Sequence, residues 1–180
     1  MNVYILRHGT TVWNETGRTQ GRRQNKLSEN GKIVAQKAAE ELKNVPFDVI
    51  YCSPLMRTMQ TANIVNKFHD VKIERSELLT EVDQGVFSGR LYRTLTDEEK
   101  QLKRQRDPST KMEQLDHALA RAKDFYETVI KNNPNKNILI VSHNNICSFL
   151  KLILNGEQIN LNDHDQINCF ANAEFKKFEI

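Results

Sequence analysis

Asn137-Ile138-Leu139-Ile140-Val141-Ser142-His143 is the stretch on which the fold turns. Four consecutive aliphatic residues between polar ends are too few for a helix and lack a solvent-facing alternation, so they predict a strand over 137–142 buried on both faces. Val3-Tyr4-Ile5-Leu6 repeats the pattern and runs into Arg7-His8, just as the later stretch runs into His143. Asp48-Val49-Ile50-Tyr51-Cys52 predicts another buried strand. Ser53-Pro54 after it reads as a helix entry, with a capping hydroxyl followed by proline in the first turn.

Helical patterns fill the gaps. Ser28 is placed as an N-cap, and behind it Val34, Ala38 and Leu42 recur on one face, with Lys32, Gln36, Lys37, Glu40 and Glu41 on the other, until Pro46. Val71-Lys72-Ile73 predicts a short third strand. Polar residues 92–111 predict a short helix and a loop stopped near Pro108. Leu115, Leu119, Ala122, Tyr126 and Val129 space a longer amphipathic helix, 146–154 a further one, and the tail 173–180, with Phe175 and Phe178, one more strand. Strands alternating with helices predict an α/β chain, a three-layer α/β/α sandwich around a mostly parallel sheet. Ligands of such sheets sit beyond the C-terminal strand ends.

The 180 residues fit one domain, 1–180, able to fold without disulfides or a structural metal. A net charge of +3 is too small a bias to point to nucleic acid, and the basic runs lack the interleaved aromatics of a single-strand binder. Cys52, Cys147 and Cys169 form no CxxC pair, which argues against a disulfide framework or zinc knuckle and for a reducing compartment. No apolar run approaches the roughly 20 residues of a membrane span, and no signal-peptide pattern opens the chain. A soluble, cytoplasmic protein is expected, with no membrane partner and no metal or other cofactor; nothing in the sequence sets its oligomeric state.

The strand ends gather the chemistry. Arg7-His8, Ser53-Pro54-Leu55-Met56-Arg57 and Ser142-His143 put two imidazoles and two guanidines on one sheet edge, and Leu79-Thr80-Glu81-Val82-Asp83-Gln84-Gly85 adds carboxylates. Arginine suits bidentate phosphate contacts, one imidazole can act as nucleophile, and a carboxylic acid can serve the leaving group. Glu77 and Asp83 are the rivals of Glu81 for that last role. Cys52 and Arg57 are one residue short of a Cys-x5-Arg phosphatase loop and lack its glycines, so Cys52 reads as a core thiol. His143 and Cys147 have metal-ligand spacing, but no second pair completes a site. His69, His117 and His164 read as solvated. So do two basic runs, Arg18/Arg22/Arg23/Lys26 and Lys100/Lys103/Arg104/Arg106, although the first borders the site and is a candidate for holding a second anionic group.

An ordered set of motifs resembles the histidine phosphatase superfamily, the phosphoglycerate mutase-like group that includes small phosphatases. It comprises Leu6-Arg7-His8-Gly9-Thr10-Thr11-Val12-Trp13-Asn14, Arg18-Thr19-Gln20-Gly21, Leu27-Ser28-Glu29-Asn30-Gly31, Ser53-Pro54-Leu55-Met56-Arg57-Thr58-Met59-Gln60-Thr61-Ala62, Glu81 with Gly85 and Gly89, and Val141-Ser142-His143. The resemblance implies a metal-independent phosphomonoester hydrolase for a small phosphorylated metabolite. His8 would become a phosphohistidine, Arg7, Arg57 and His143 would hold the phosphoryl oxygens, and Glu81 would be acid then base. Thr10, Asn14, Gln20 and Gly21 would bind substrate. It also implies a short helical lid at about 90–112, too small to exclude water, which favours hydrolysis over the alternative of a cofactor-dependent phosphoglycerate mutase using the same residues. A non-catalytic phosphate-binding protein is the third reading, disfavoured because every catalytic group is present. Phosphoglycerates, sugar phosphates and α-ribazole phosphate all fit the family. The chain departs from its pattern at Gln24, Phe87-Ser88, Met112-Glu113-Gln114 and Asn144, where the usual residues are Asp, Trp-Glu, Gly-Glu-Ser and Gly.

Overall fold

The computed structural model describes residues 1–180. Its five-stranded sheet has the order β3-β2-β4-β1-β5, with β1 at Asn2–Arg7, β2 at Val49–Cys52, β3 at Lys72–Arg75, β4 at Asn137–Ser142 and β5 at Phe175–Glu179. All neighbouring pairs are parallel except β5, which closes the edge antiparallel to β1. Alternate side chains of the central strands face opposite layers. Val3, Ile5, Ile138 and Ile140 pack against α5 (Leu115–Phe125) and α6 (Asn144–Leu154). Tyr4, Leu6, Leu139 and Val141 pack against α2 (Glu29–Leu42) and α3 (Met56–Asn66). Burial on both faces is why these strands read as unbroken apolar runs.

Several local expectations shift. The inward face of α2 is Gly31, Ala35, Ala38, Ala39 and Leu42, with Val34 only half-buried. Ser28 caps that helix as expected, accepting the Gly31 N–H at 3.0 Å. Ser53 does not cap α3. That helix begins at Met56 without a side-chain cap of its own, and Gln24 Oε1, from a distant loop, accepts the Met56 N–H at 2.9 Å. Beyond α5 the chain makes one wide turn, Lys131 N–H donating to the Tyr126 carbonyl at 3.0 Å, and the extra residue buries Ile130 fully while Val129 packs half-buried against the same core. His69 is not solvated: its ring packs edge-on against Phe47 at 4.9 Å. Cys52 is a core thiol, fully buried and pushed up to about 11 by burial. No helix is long and apolar enough to cross a membrane.

Two short helices lie outside the sandwich: α1 (Val12–Thr16) and α4 (Asp97–Gln105). Each contributes to a cavity: Asn14 of α1 to one, and Lys103, Arg104 and Gln105 of α4 to another.

Candidate active site

Register brings the reactive residues together. Arg7 lies opposite Ser142 in the β1/β4 ladder, so His8 and His143 leave the sheet side by side, their ring centroids 5.2 Å apart. The His8 N–H donates to the Ser142 carbonyl and the Ser53 N–H to the Val141 carbonyl, extending the ladder into the site. His8, His143 and Arg57 are each at most 3% exposed.

Two contacts fix the His8 tautomer. Nδ1 lies 2.7 Å from the Gly9 carbonyl, which can only accept, so Nδ1 carries the proton. Nε2 accepts from Arg57 Nε–H at 3.2 Å, so Nε2 holds a lone pair. Burial, then the charges of Arg57 and Arg7, hold the imidazole well below the ordinary histidine range. Arg57 is itself anchored through the Arg23 and Gly21 carbonyls, both at 2.9 Å, and burial lowers it to about 10. Arg7 donates to the Phe170 carbonyl at 2.5 Å, and its Nε has no partner within the protein. His143 meets Ser53 Oγ through Nε2 at 2.9 Å, and its Nδ1 is likewise unpartnered and buried. Glu81 accepts the Val82 N–H at 2.9 Å. Burial raises its carboxyl above the usual range, against the opposing pull of that bond and of the two arginines.

These groups surround a cavity of about 220 Å³ with no apolar side chain on its wall. Arg7, His8, Arg57 and Glu81 line it, with Asn14, Gln20 and Gly21. Asn14 uses its Oδ1 to accept from the Thr11 backbone and hydroxyl, which leaves its amide N–H groups for the cavity. His143 stands directly behind the wall. Thr10 is not on it: its carbonyl is taken by the Ser28 N–H at 3.0 Å, and its backbone supports α2. Arg18, a candidate from the first basic run, also lines the cavity, as do five residues that sequence reasoning missed as site residues: Thr19, Gln84, Asn144, Asn145 and Asn168. Of these, Asn144 had a signal, standing directly after the second histidine. Its side chain ties down 168–170, the segment whose Phe170 carbonyl holds Arg7.

A larger cavity of about 850 Å³ adjoins the first, sharing Gln84, Asn145 and Asn168 with it. One side is basic: Lys103, Arg104 and Arg106 line it, none within ion-pairing distance of a carboxylate. The run read as a solvated face therefore splits. Lys100 pairs with Asp97 at 3.2 Å, while burial, and then Arg106, lower Lys103 to about 8. His164 is exposed, as expected, and stands at the rim of the same cavity. The other candidate run behaves differently. Arg22 pairs with Glu113 at 3.0 Å and Arg23 offers its carbonyl to Arg57; neither lines these two cavities, whereas Arg18 lines the smaller one.

Paired imidazoles and guanidines at the open end of a parallel sheet define an enzyme that handles phosphoryl groups. The chain belongs to the histidine phosphatase superfamily, branch 1, whose family model matches residues 3–180. It is 34% identical over 149 residues to phosphoserine phosphatase 1 of Hydrogenobacter thermophilus, spanning 79% of this chain and 71% of that one. It is 30% identical to the uncharacterized phosphatase PhoE of Bacillus subtilis, over 96% of this chain and 88% of that one. The α-ribazole phosphatase structure from Shigella flexneri superposes with a TM-score of 0.86 at 26% identity, covering 100% of this chain and 91% of the other. The chain is a phosphatase of this superfamily.

Proposed function

We propose that the chain hydrolyses phosphomonoesters of small metabolites through a phosphohistidine on His8. The observation that carries this reading is the His8 Nε2 lone pair on a wall of guanidinium groups, beside Arg7 Nε and His143 Nδ1, two buried polar atoms with no protein partner. Leaving such a group unpaired costs about 1–3 kcal/mol, which a phosphoryl oxygen offsets. Nε2 attacks phosphorus, the ester P–O bond breaks, and the Glu81 proton goes to the departing alkoxide. The carboxylate then takes a proton from water as the water oxygen attacks phosphohistidine, releasing phosphate and restoring His8. Arg7, Arg57 and His143 hold the equatorial oxygens as charge builds on them. Asn14 adds neutral donors, and Gln20 and Gly21 shape the rim.

The pH profile tests the two assignments together. His8 must be unprotonated, so activity is lost as pH falls through its lowered pKa; Glu81 must be protonated, so activity is lost as pH rises through its raised pKa. We expect kcat/KM to hold on the acid side to pH values well below 6.5. Glu81→Gln should remove the basic limb; a basic limb unchanged in that variant defeats the role of Glu81.

The basic wall of the larger cavity supports a substrate whose remainder carries a second anionic group, with segment 90–112 acting as a lid. The same volume admits water to the phosphoenzyme, which favours hydrolysis over mutase chemistry. Lys103→Met is expected to raise KM by about 10–100-fold for a phosphomonoester bearing a carboxylate, as fits the loss of a charged hydrogen bond, and to leave a neutral alkyl phosphate nearly unaffected. In the parent enzyme that preference should fade as pH rises through about 8, where Lys103 loses its charge. Equal KM changes for the two substrates would remove Lys103 from recognition.

A further inference from the structure

We infer that Glu113 and Arg121 are positioning residues for Glu81, holding by side-chain charge a loop that no secondary structure holds; this rests on the reading of Glu81 as the acid for the leaving group. Residues 80–84 belong to no helix or strand. Arg121, on α5, donates through one terminal nitrogen to the Leu78 and Thr80 carbonyls, both at 2.9 Å. Arg22 Nε–H donates to the carbonyl of Glu81 itself at 3.1 Å. Glu113 Oε2 accepts the Asp83 N–H, and the Glu113 N–H returns to the Asp83 carbonyl, each at 3.1 Å. The backbone on either side of Glu81 is therefore gripped by one charged cluster.

The cluster is closed on itself. Glu113 takes a bidentate pair from Arg121, at 2.9 and 3.0 Å, and a third contact from Arg22 at 3.0 Å, with only 12% of its side chain exposed. An enclosed ion pair adds little net stability, because desolvation of the charges cancels most of their attraction. What it supplies here is geometry. The planar guanidinium forks fix distance and angle together, and α5 ties Arg121 to the apolar core through Ala118, Ala122 and Phe125. Without the clamp, the Glu81 carboxyl keeps its chemistry but loses its aim at the leaving oxygen.

Leaving-group dependence reads this directly. An alkyl ester departs as a strongly basic alkoxide and needs the Glu81 proton as the P–O bond breaks; a nitrophenyl ester departs as a stable phenolate and does not. Single-turnover release of the leaving group isolates this half-reaction from the later hydrolysis of phosphohistidine. For Glu113→Gln and Arg121→Leu we expect release from a simple alkyl phosphate to slow by about 10–100-fold, a part of the full general-acid contribution, and release from nitrophenyl phosphate to change by no more than about threefold. Arg121→Lys, which keeps the charge but not the fork, should fall between wild type and Arg121→Leu. Arg22→Met, at a half-exposed position, is read alongside them and shows a smaller defect of the same selectivity, so the test survives a core variant that fails to fold.

Equal losses on both esters would reduce the cluster to a structural element and overturn the inference, as would unchanged release of the alkyl alcohol from folded variants. Glu81→Gln separates this from a failure of the underlying reading. If it slows the alkyl ester selectively while the clamp variants do not, the clamp alone is refuted. If it shows no selectivity, the acid assignment and the clamp fall together.

Discussion

His8→Ala is expected to lower phosphate release by about 10⁴-fold or more, the scale seen when a covalent nucleophile is removed from an otherwise intact site. Nothing nearby substitutes for it. His143 is the only other imidazole in the site, and its Nε2 is engaged by Ser53 Oγ at 2.9 Å behind the cavity wall. Cys52 and Cys147 are fully buried thiols that burial holds in the protonated, unreactive form. The arginines remain in the variant, so substrate binding should survive the loss of turnover. Quenching the parent enzyme during turnover should trap an acid-labile, alkali-stable phosphoryl group that is absent from His8→Ala. Parent activity is also expected to persist in EDTA, since two guanidinium groups supply the positive charge. Retention of a tenth or more of the parent rate in His8→Ala would refute the assignment.

Gly31→Ala is expected to be strongly destabilising, for a reason unrelated to backbone dihedrals. Gly31 lies in the first turn of α2, where alanine would ordinarily add about 1 kcal/mol of helix propensity. A Cβ there, however, would stand 1.8 Å from the Thr10 carbonyl oxygen and 2.7 Å from its carbon. Both partners are backbone, so no rotamer change relieves the overlap, and the helix and the loop after His8 must separate. Gly9 meets the same surface from the other side, a Cβ on it falling 2.5 Å from the Gly31 carbonyl oxygen. Overpacking of this kind outweighs the propensity gain, and a net loss of about 2–4 kcal/mol follows. At roughly 2–4 °C per kcal/mol for a chain of this size, Tm should fall by about 5–15 °C. Because the displaced loop carries the Gly9 carbonyl that fixes the His8 tautomer, kcat should fall by up to about 10²-fold in the protein that remains folded. Gly17→Ala is the control. Its φ of +71° makes alanine strained, but nothing lies within 4 Å, so a loss of about 1 kcal/mol with unchanged kcat is expected. A Gly31→Ala protein with parental Tm and kcat would show that the loop yields without cost.

Much of the site was legible because its residues sit at strand ends, and strand ends announce themselves. Arg7-His8 and Ser142-His143 follow runs whose unbroken apolarity already required burial on both faces, and a parallel sheet has one edge for ligands. Ser53 misled because a hydroxyl before proline has two uses, and only the approach of β4 decides that it serves His143 instead of a helix terminus. The second basic run misled for a related reason. A charged residue is read as solvated unless something covers it, and what covers Lys103 and Arg106 comes from elsewhere in the chain: Gln84 and the Phe87 ring for the first, the Glu113 carbonyl for the second.

The sequence by itself determined the layers, the strands, the capped start of α2 and the sheet edge that carries the candidate site, because hydrophobic periodicity and turn chemistry act over a few residues and leave a local record. The tertiary structure alone decided which charges pair. Arg22, Glu113 and Arg121 are separated by up to a hundred residues of chain, yet they meet around the loop that holds Glu81. Electrostatic partnership depends on distances through space, and those distances do not exist until the sheet has set its order.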